Sequence, residues 1–417
     1  MAEAQGGEHA LRGARWALMF GNFVIGCGVM VVAGALNDLT HSLQVSVALG
    51  GQLIAVAAVV MCLGAPLLAA ALQGFDRRRL LAASLLWYAV GHAASALMPN
   101  YAWLMPVRAL SMLAAAVFTP QAAAAIGWLA PIERRGRAIT FIFLGWSAAS
   151  VFGMPLHSYI GEAVGWRWAF ALVALLAAVG AVWVWKTMPE GVRPPAMKLR
   201  DWREVLTNPV LMAILAVTAM SSAGQFTVFA YFAPYYRAVL GAGPAQISLL
   251  FAWFGAFGLL GNVLLSRHVD RIGAPKAVAA LLLVICTTML LWPLGTGYAS
   301  MAAVLVPWAL GLFAANSAQQ ARLGSVAPAL APALMALNTS AIYFGHAVGA
   351  AGGGALVAAN AAQGKSDATL YAELHWVGLC WLLLALAASL WAESRKGRHG
   401  VVRPVSSKRG GSARPSE

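Results

Sequence analysis

Arg108, Asp38, His157 and His346 stand out in this chain because each lies in or beside a long apolar run, where a titratable or charged group is costly. A carboxylate or imidazole in such a place can take up and release protons once burial brings its pKa into the working range. An arginine there can organise the charge of a cavity. The run holding Arg108 begins near Ala102, so at about 1.5 Å per residue the side chain starts about 9 Å inside. A charge at that depth faces a cavity or a partner, or it snorkels to the outer surface. Asp38, in GALNDLTHSL, closes the outer end of the first run, where a solvated carboxylate facing a loop is an equal reading. His346 and His157 are either proton carriers or packed polar residues.

A second group of polar residues recurs inside the runs: Asn22, Gln52, Gln121, Gln225, Asn316, Gln319 and Tyr343. A few convergent polar groups amid aromatics suit a small-molecule site, and the same residues suit hydrogen bonds between helices. No Asp or Glu lies near the middle of any run, which is the most informative absence in the chain. No phosphate loop, H-E-x-x-H zinc pattern or nucleophile elbow is present, which argues against an enzyme or ATP-driven transport. Cys27, Cys62, Cys286 and Cys380 fall in apolar runs without metal-ligand spacing and read as small core residues.

The elements that must position these residues follow from composition. The chain is 61% hydrophobic and 10% charged, far below the quarter or so of charged residues in soluble domains. Runs of about 20 apolar residues recur at 16–36, 47–72, 80–98, 102–128, 138–160, 168–188, 209–232, 246–266, 277–295, 300–321, 334–358 and 375–392. This predicts an all-α membrane protein with 12 transmembrane helices in two pseudo-symmetric six-helix bundles. Residues 1–15 form an N-terminal segment, 16–188 the first bundle, 189–208 a linker, 209–392 the second bundle and 393–417 a basic, disordered tail. The linker, PEGVRPPAMKLRDWREVLTN, carries three prolines and splits the spans six and six. Arg12 and Arg15 ahead of the first run could mark a signal peptide, but the run exceeds the usual signal core and reads as a retained helix. The net charge of +14 sits in short loops and the tail, so membrane orientation explains it and nucleic acid does not. Only Arg167, Arg237 and Lys365 fall on the face opposite the termini, which places both termini in the cytoplasm of a plasma (inner) membrane protein.

The stretch GNVLLSRHVDRIGAPK, 261–276, joins two runs through a charged hairpin in which Asp270-Arg271-Ile272-Gly273 makes a tight turn. It resembles the D-R-x-G core of the signature loop of the major facilitator superfamily of secondary transporters. GAPLLAAALQGFDRRRLL, 64–81, is a looser counterpart in the first half, opening at Gly64 with Asp76 delayed beside Arg77, Arg78 and Arg79; the GAP opening is similar to the arabinose-efflux-like branch. Gly145, Gly153 and Pro155 on the fifth run resemble the superfamily's antiporter motif, and Gly165 to Phe170 (GWR-x-AF) resembles its drug and sugar efflux branch. Gly345 and Gly349 on the eleventh run resemble that branch too.

The resemblance implies the major facilitator fold, with halves that rock about a central cavity while Asp270, Arg271 and Gly273 latch the cytoplasmic side. Arg108 is similar in position to the superfamily's fourth-helix arginine, and Asp38 to an acid at the end of its first helix. His92 lies on a run that is peripheral in that fold and ranks below His157 and His346. The implied function is export of a small organic solute, drug-like or sugar, by proton antiport in a monomer that needs the lipid bilayer and a proton gradient but no cofactor. A proton-independent facilitator or importer is the alternative, which the absent interior acid favours. A polytopic enzyme should show a catalytic cluster at a membrane face, and a sensor a soluble output domain; the sequence has neither.

Overall fold

The computed structural model describes residues 2–45, 47–193, 199–366 and 369–395. The tail from residue 396 onward and the linker stretch 194–198 lie outside the described residues. Among the described residues, twelve helices are long and apolar enough to cross a membrane. They are α1 (Leu11–Gly34), α2 (Leu49–Ala71), α3 (Arg77–Leu97), α4 (Tyr101–Leu129), α5 (Ile132–Gly161) and α6 (Trp166–Thr187), then α7 (Pro209–Leu240), α8 (Ala245–Ile272), α9 (Ala274–Leu294), α10 (Tyr298–Val326), α11 (Pro328–Ala362) and α12 (Leu374–Arg395). Helices satisfy every backbone polar group internally, which hydrocarbon demands. No strand occurs among the described residues.

The two halves repeat one packing scheme. In the first, α1 packs on α5 and α6, α2 on α4, and α3 on α4 and α6; in the second, α7 packs on α11 and α12, α8 on α10, and α9 on α10 and α12. One buried core runs from Ala14 to Val192, and a second runs from Val217 to Ala385. The halves meet along two equivalent seams, α2 against α11 and α5 against α8. This is the arrangement expected from the sequence, two pseudo-symmetric six-helix bundles. The even number of spans puts the start of α1 and the end of α12 on one side, the basic face.

Helix starts follow local chemistry. Asp76 caps α3, its Oδ1 accepting from the Arg79 N–H at 3.2 Å. Asn100 does the same for α4 through Trp103, and Asn208 for α7 through Val210 and Leu211, with Pro209 in the first turn. Between α8 and α9 the structure departs from the tight turn expected over 270–273. The helix continues through Asp270 and Arg271 to Ile272, and Gly273 alone, at φ +85°, reverses the chain. Arg271 thereby sits in the last turn, where a cation complements the helix dipole. The linker also carries a helix, Leu199–Thr207, whose Trp202 and Val205 join a small apolar cluster with Leu211, Ile214, Leu323 and Leu334.

The fifth span is not a plain α-helix. A π-turn over Ala149–Gly153 precedes Pro155, and the wider turn absorbs the backbone bond that proline cannot make. Along this span Gly145 sits on the backbone of α1, so close that a Cβ would strike the Met19 carbonyl and the Phe23 nitrogen. Further along, Gly153 lies on Cys27 and Gly161 on Ala35, so α1 and α5 stay in contact over their length. Replacing Gly145 by Val should separate the two helices and abolish most folded protein, as monodisperse yield on size-exclusion chromatography. Gly352→Ala, at an exposed position with nothing within 4 Å, should leave the yield unchanged.

Candidate functional site

Arg108 is fully buried on α4. Its Nη1 donates to His92 Nε2 at 3.2 Å and its Nη2 to the Val29 carbonyl at 3.1 Å. Because Nε2 accepts from a permanent cation, His92 carries its proton on Nδ1, which donates to the Tyr88 carbonyl at 2.9 Å. Tyr88 in turn donates from its hydroxyl to the Ile25 carbonyl at 3.0 Å. The Phe170 ring lies 6.0 Å from the guanidinium. Three helices thus converge on Arg108 with neutral acceptors and an aromatic face; it does not snorkel. His92, ranked low from the sequence because its span is outlying, faces inward through α3 and is the direct partner. His157 is buried against Cys27 within Coulombic reach of His92.

The second half supplies the facing wall. Tyr343 on α11 packs against the core of the first half and lies within Coulombic reach of Arg108. His346 stands edge-on to Tyr343 at 5.5 Å and stacks on Phe226 at 3.4 Å between ring centroids. Tyr343 and His346 therefore line one face of α11 where Tyr343 meets the first half. Gly345 and Gly349, on the neighbouring face of α11, seat that helix on α7.

Asp38 is placed differently. It sits on a short helix, Leu36–Ser42, and its Oδ2 accepts from the Trp166 N–H at 2.7 Å. Gly165, at φ +103°, turns the chain so that this N–H opens α6 toward the carboxylate. Asp38 is thus a helix cap supplied from another element. Arg167 ties the same rim by donating to the Met98 carbonyl at 3.0 Å. The GWR sequence therefore works as an outer clasp of the first half. On the same face Lys365 donates to Glu373 at 2.9 Å and holds that carboxyl below its usual range.

Most of the amides fasten helices. Asn22 donates to the Ile142 carbonyl and accepts from Thr119, joining α1, α5 and α4. Gln225 accepts from Trp308 Nε1 at 2.9 Å, and Gln319 donates to the Ile214 carbonyl, so both join α7 to α10. Gln52 accepts from the Tyr101 hydroxyl at the outer end of α2. Gln121 Oε1 and Asn316 Oδ1 are buried without a protein partner.

The basic face is held by contacts between halves. Asp270 Oδ1 accepts from the Arg137 N–H at 3.0 Å, capping the start of α5 from the other bundle. Eight residues deeper, Asn262 Nδ2 donates to Ser147 Oγ at 3.0 Å. On the other seam Ser340 donates to the Cys62 carbonyl and Cys62 to that of Ser340, the latter at 3.6 Å. Asp76, the counterpart of Asp270, stays within its own half: its Oδ2 accepts from the Gly191 N–H at 2.7 Å. Arg77 is buried beside it, its N–H on the Val192 carbonyl at 3.0 Å. Gly64 seats α2 on Leu113 and Ala116 of α4, while Arg271 points to the exterior. Sequence reasoning missed Asn262, Ser147 and the Cys62–Ser340 pair. Asn262 carried a usable signal, a lone amide in an apolar run, but it was absorbed into the loop beginning at Gly261.

The sequence model of the Major Facilitator Superfamily matches residues 18–350. The chain belongs to the major facilitator superfamily. Among relatives of this transporter, the "Uncharacterized MFS-type transporter YbcL" of Bacillus subtilis (strain 168) is 27% identical over 88% of this chain and 93% of its own. The "Inner membrane transport protein YdhP" of Escherichia coli (strain K12) is 29% identical over 82% of this chain and 88% of its own. The fold is similar to that of the human organic anion transporter MFSD10, with a TM-score of 0.74 at 16% identity over 92% of this chain and 99% of that one. It is similar also to the proton:xylose symporter XylE bound to 6-bromo-6-deoxy-D-glucose, with a TM-score of 0.70 at 16% identity over 90% and 94%. At that identity the likeness to both structures shows the fold alone.

If Asp38 serves this major facilitator as a cap, Asp38→Asn should keep transport near the unsubstituted level, because an amide oxygen still accepts from Trp166. Asp38→Ala should lower stability by about 1 kcal/mol, read as an earlier thermal midpoint of the purified protein. Loss of transport in Asp38→Asn at unchanged stability would instead make the carboxylate a proton carrier.

Proposed function

We propose that this transporter exports a small organic solute, drug-like or sugar, across the inner membrane in exchange for inward protons, as a monomer working by alternating access. The observation that carries the reading is the division of labour along the bundle. Arg108 is buried in the first half while Tyr343 of the second packs on that half, and a separate contact, Asp270 with Arg137, joins the halves on the basic face. The positive-inside rule puts that face, with both termini, in the cytoplasm. Breaking the Asp270 cap and reforming it would then be one half of the transport cycle, with the halves moving as bodies about the centre.

The proton carrier in this reading is a histidine. Asp38 is engaged by Trp166, and the spans hold no carboxylate at mid-depth. His346 is partly accessible, borders Tyr343 and lies on a glycine-rich helix that can shift, so it is the preferred group, with His157 second. The same lack of an interior carboxylate supports a second reading, a proton-independent facilitator or importer on this fold. No cofactor enters either scheme.

Two measurements decide. Labelled drugs and sugars should accumulate less in cells expressing the protein, and an uncoupler should abolish the difference; flux indifferent to the uncoupler would favour the facilitator. Asp270→Ala should cut turnover at least about tenfold while membrane insertion stays normal, because one charge-assisted bond between the halves is lost. Undiminished transport by that variant would sink the latch.

A further inference from the structure

Three guanidinium groups are deeply buried among the described residues, and they differ in what neutralises them. Arg322 reaches Glu393 at 3.5 Å, and Arg77, which makes no ion pair of that length, directly follows Asp76 in the chain, with that carboxylate favouring its charge. Arg108 has no carboxylate near it in the chain or, among the described residues, in space; its partners are a neutral imidazole and a backbone carbonyl, and its Nε, like those of Arg77 and Arg322, has none. A fully buried cation with neutral acceptors alone is missing one negative charge, a costly state in a medium of low dielectric. The guanidinium is also a planar fork suited to two parallel bonds from a carboxylate or phosphate-like group.

The surroundings fit a ligand with an apolar body behind its charge. Tyr343, on the other half, packs against the core of the half that holds Arg108, and His346 and Phe226 continue from it as a stacked aromatic wall. Tyr343 and His346 are both partly accessible, so this wall borders open space and is not sealed core.

We propose that the transported solute is an organic anion whose carboxylate, sulfonate or phosphate group pairs with Arg108 while its apolar part lies on Tyr343, His346 and Phe226. This rests on the transport reading above and narrows its substrate class. The ligand's oxygens take the place of His92 Nε2 and the Val29 carbonyl on the fork, supplying the charge that the protein leaves out. An organic cation of the same shape would meet an uncompensated like charge and be rejected.

The test is equilibrium binding to the full-length protein in lipid nanodiscs, read by tryptophan fluorescence, with two isosteric series. These are benzoate, benzamide and benzamidine, and the matching 2-naphthyl carboxylate, amide and amidine, with the aryl sulfonates added. The anions should bind at least about tenfold more tightly than their neutral and cationic isosteres. Arg108→Gln should erase that preference, and Arg108→Lys should weaken it, since an ammonium lacks the fork. Comparison of charge states in the unsubstituted protein needs no variant, so a misfolded Arg108→Gln leaves the test intact. Equal binding across charge states, preference for the amidine, no anion binding at all, or a preference that survives Arg108→Gln would each overturn the proposal. Failure of uncoupler-sensitive export with the anion preference intact would remove the antiport reading and leave this one standing. Export without charge preference would do the reverse.

Discussion

Hydrocarbon offers no partner to a polar group, and this governs where every charge in the protein sits. Three aspartates show the rule at work. Asp38 receives the Trp166 N–H, Asp76 those of Arg79 and Gly191, and Asp270 that of Arg137. All lie near span ends, where the first turn of a helix has N–H groups without intrahelical acceptors. In each case a carboxylate near the membrane surface meets a need that the backbone itself creates. The buried arginines obey the same constraint, Arg108 at the greatest depth, and Arg108 satisfies it least completely.

The two halves share one packing scheme but use their matched aspartates differently. Asp76 binds Gly191 just beyond α6, and Arg78 adds an ion pair to Glu190 at 2.6 Å, so that loop braces its own bundle. Asp270 crosses to α5 of the other bundle. A contact within a rigid half costs nothing when the halves move, whereas a contact between halves must break. The pseudo-symmetric fold therefore uses its matched aspartates asymmetrically, one within a half and one between halves. The difference traces to the delayed acid of the first loop, which sits on the turn into α3, against the acid that remains in the last turn of α8.

The amides show how one residue type serves two ends. Asn22, Gln225 and Gln319 each join helices of a single half, where an interhelical hydrogen bond is worth about 1 kcal/mol in a membrane. Asn262 makes the same kind of bond between halves, to Ser147. Its neighbours in sequence are as apolar as those of Asn22, so nothing local distinguishes a fastener from a latch.

The sequence by itself determined the number of spans, their repeat in two halves and the family, because apolar length and charge placement are consequences of the bilayer and need no tertiary contact. It also marked Arg108, since a charge seven residues inside a span must have a purpose. Which residues Arg108 meets was decided only by tertiary structure. His92 comes from a different helix, Tyr343 from the other bundle, and neither carries a local pattern that announces a contact. Asp38 was visible as an acid at a span end, yet its commitment to Trp166 depends on the turn at Gly165 bringing α6 beneath it. The charged hairpin at Asp270 was legible in the sequence, but its partner Arg137 is 133 residues away. Periodicity and composition act along the chain, whereas partnership depends on how helices are rotated and packed, and that is settled by the whole bundle at once.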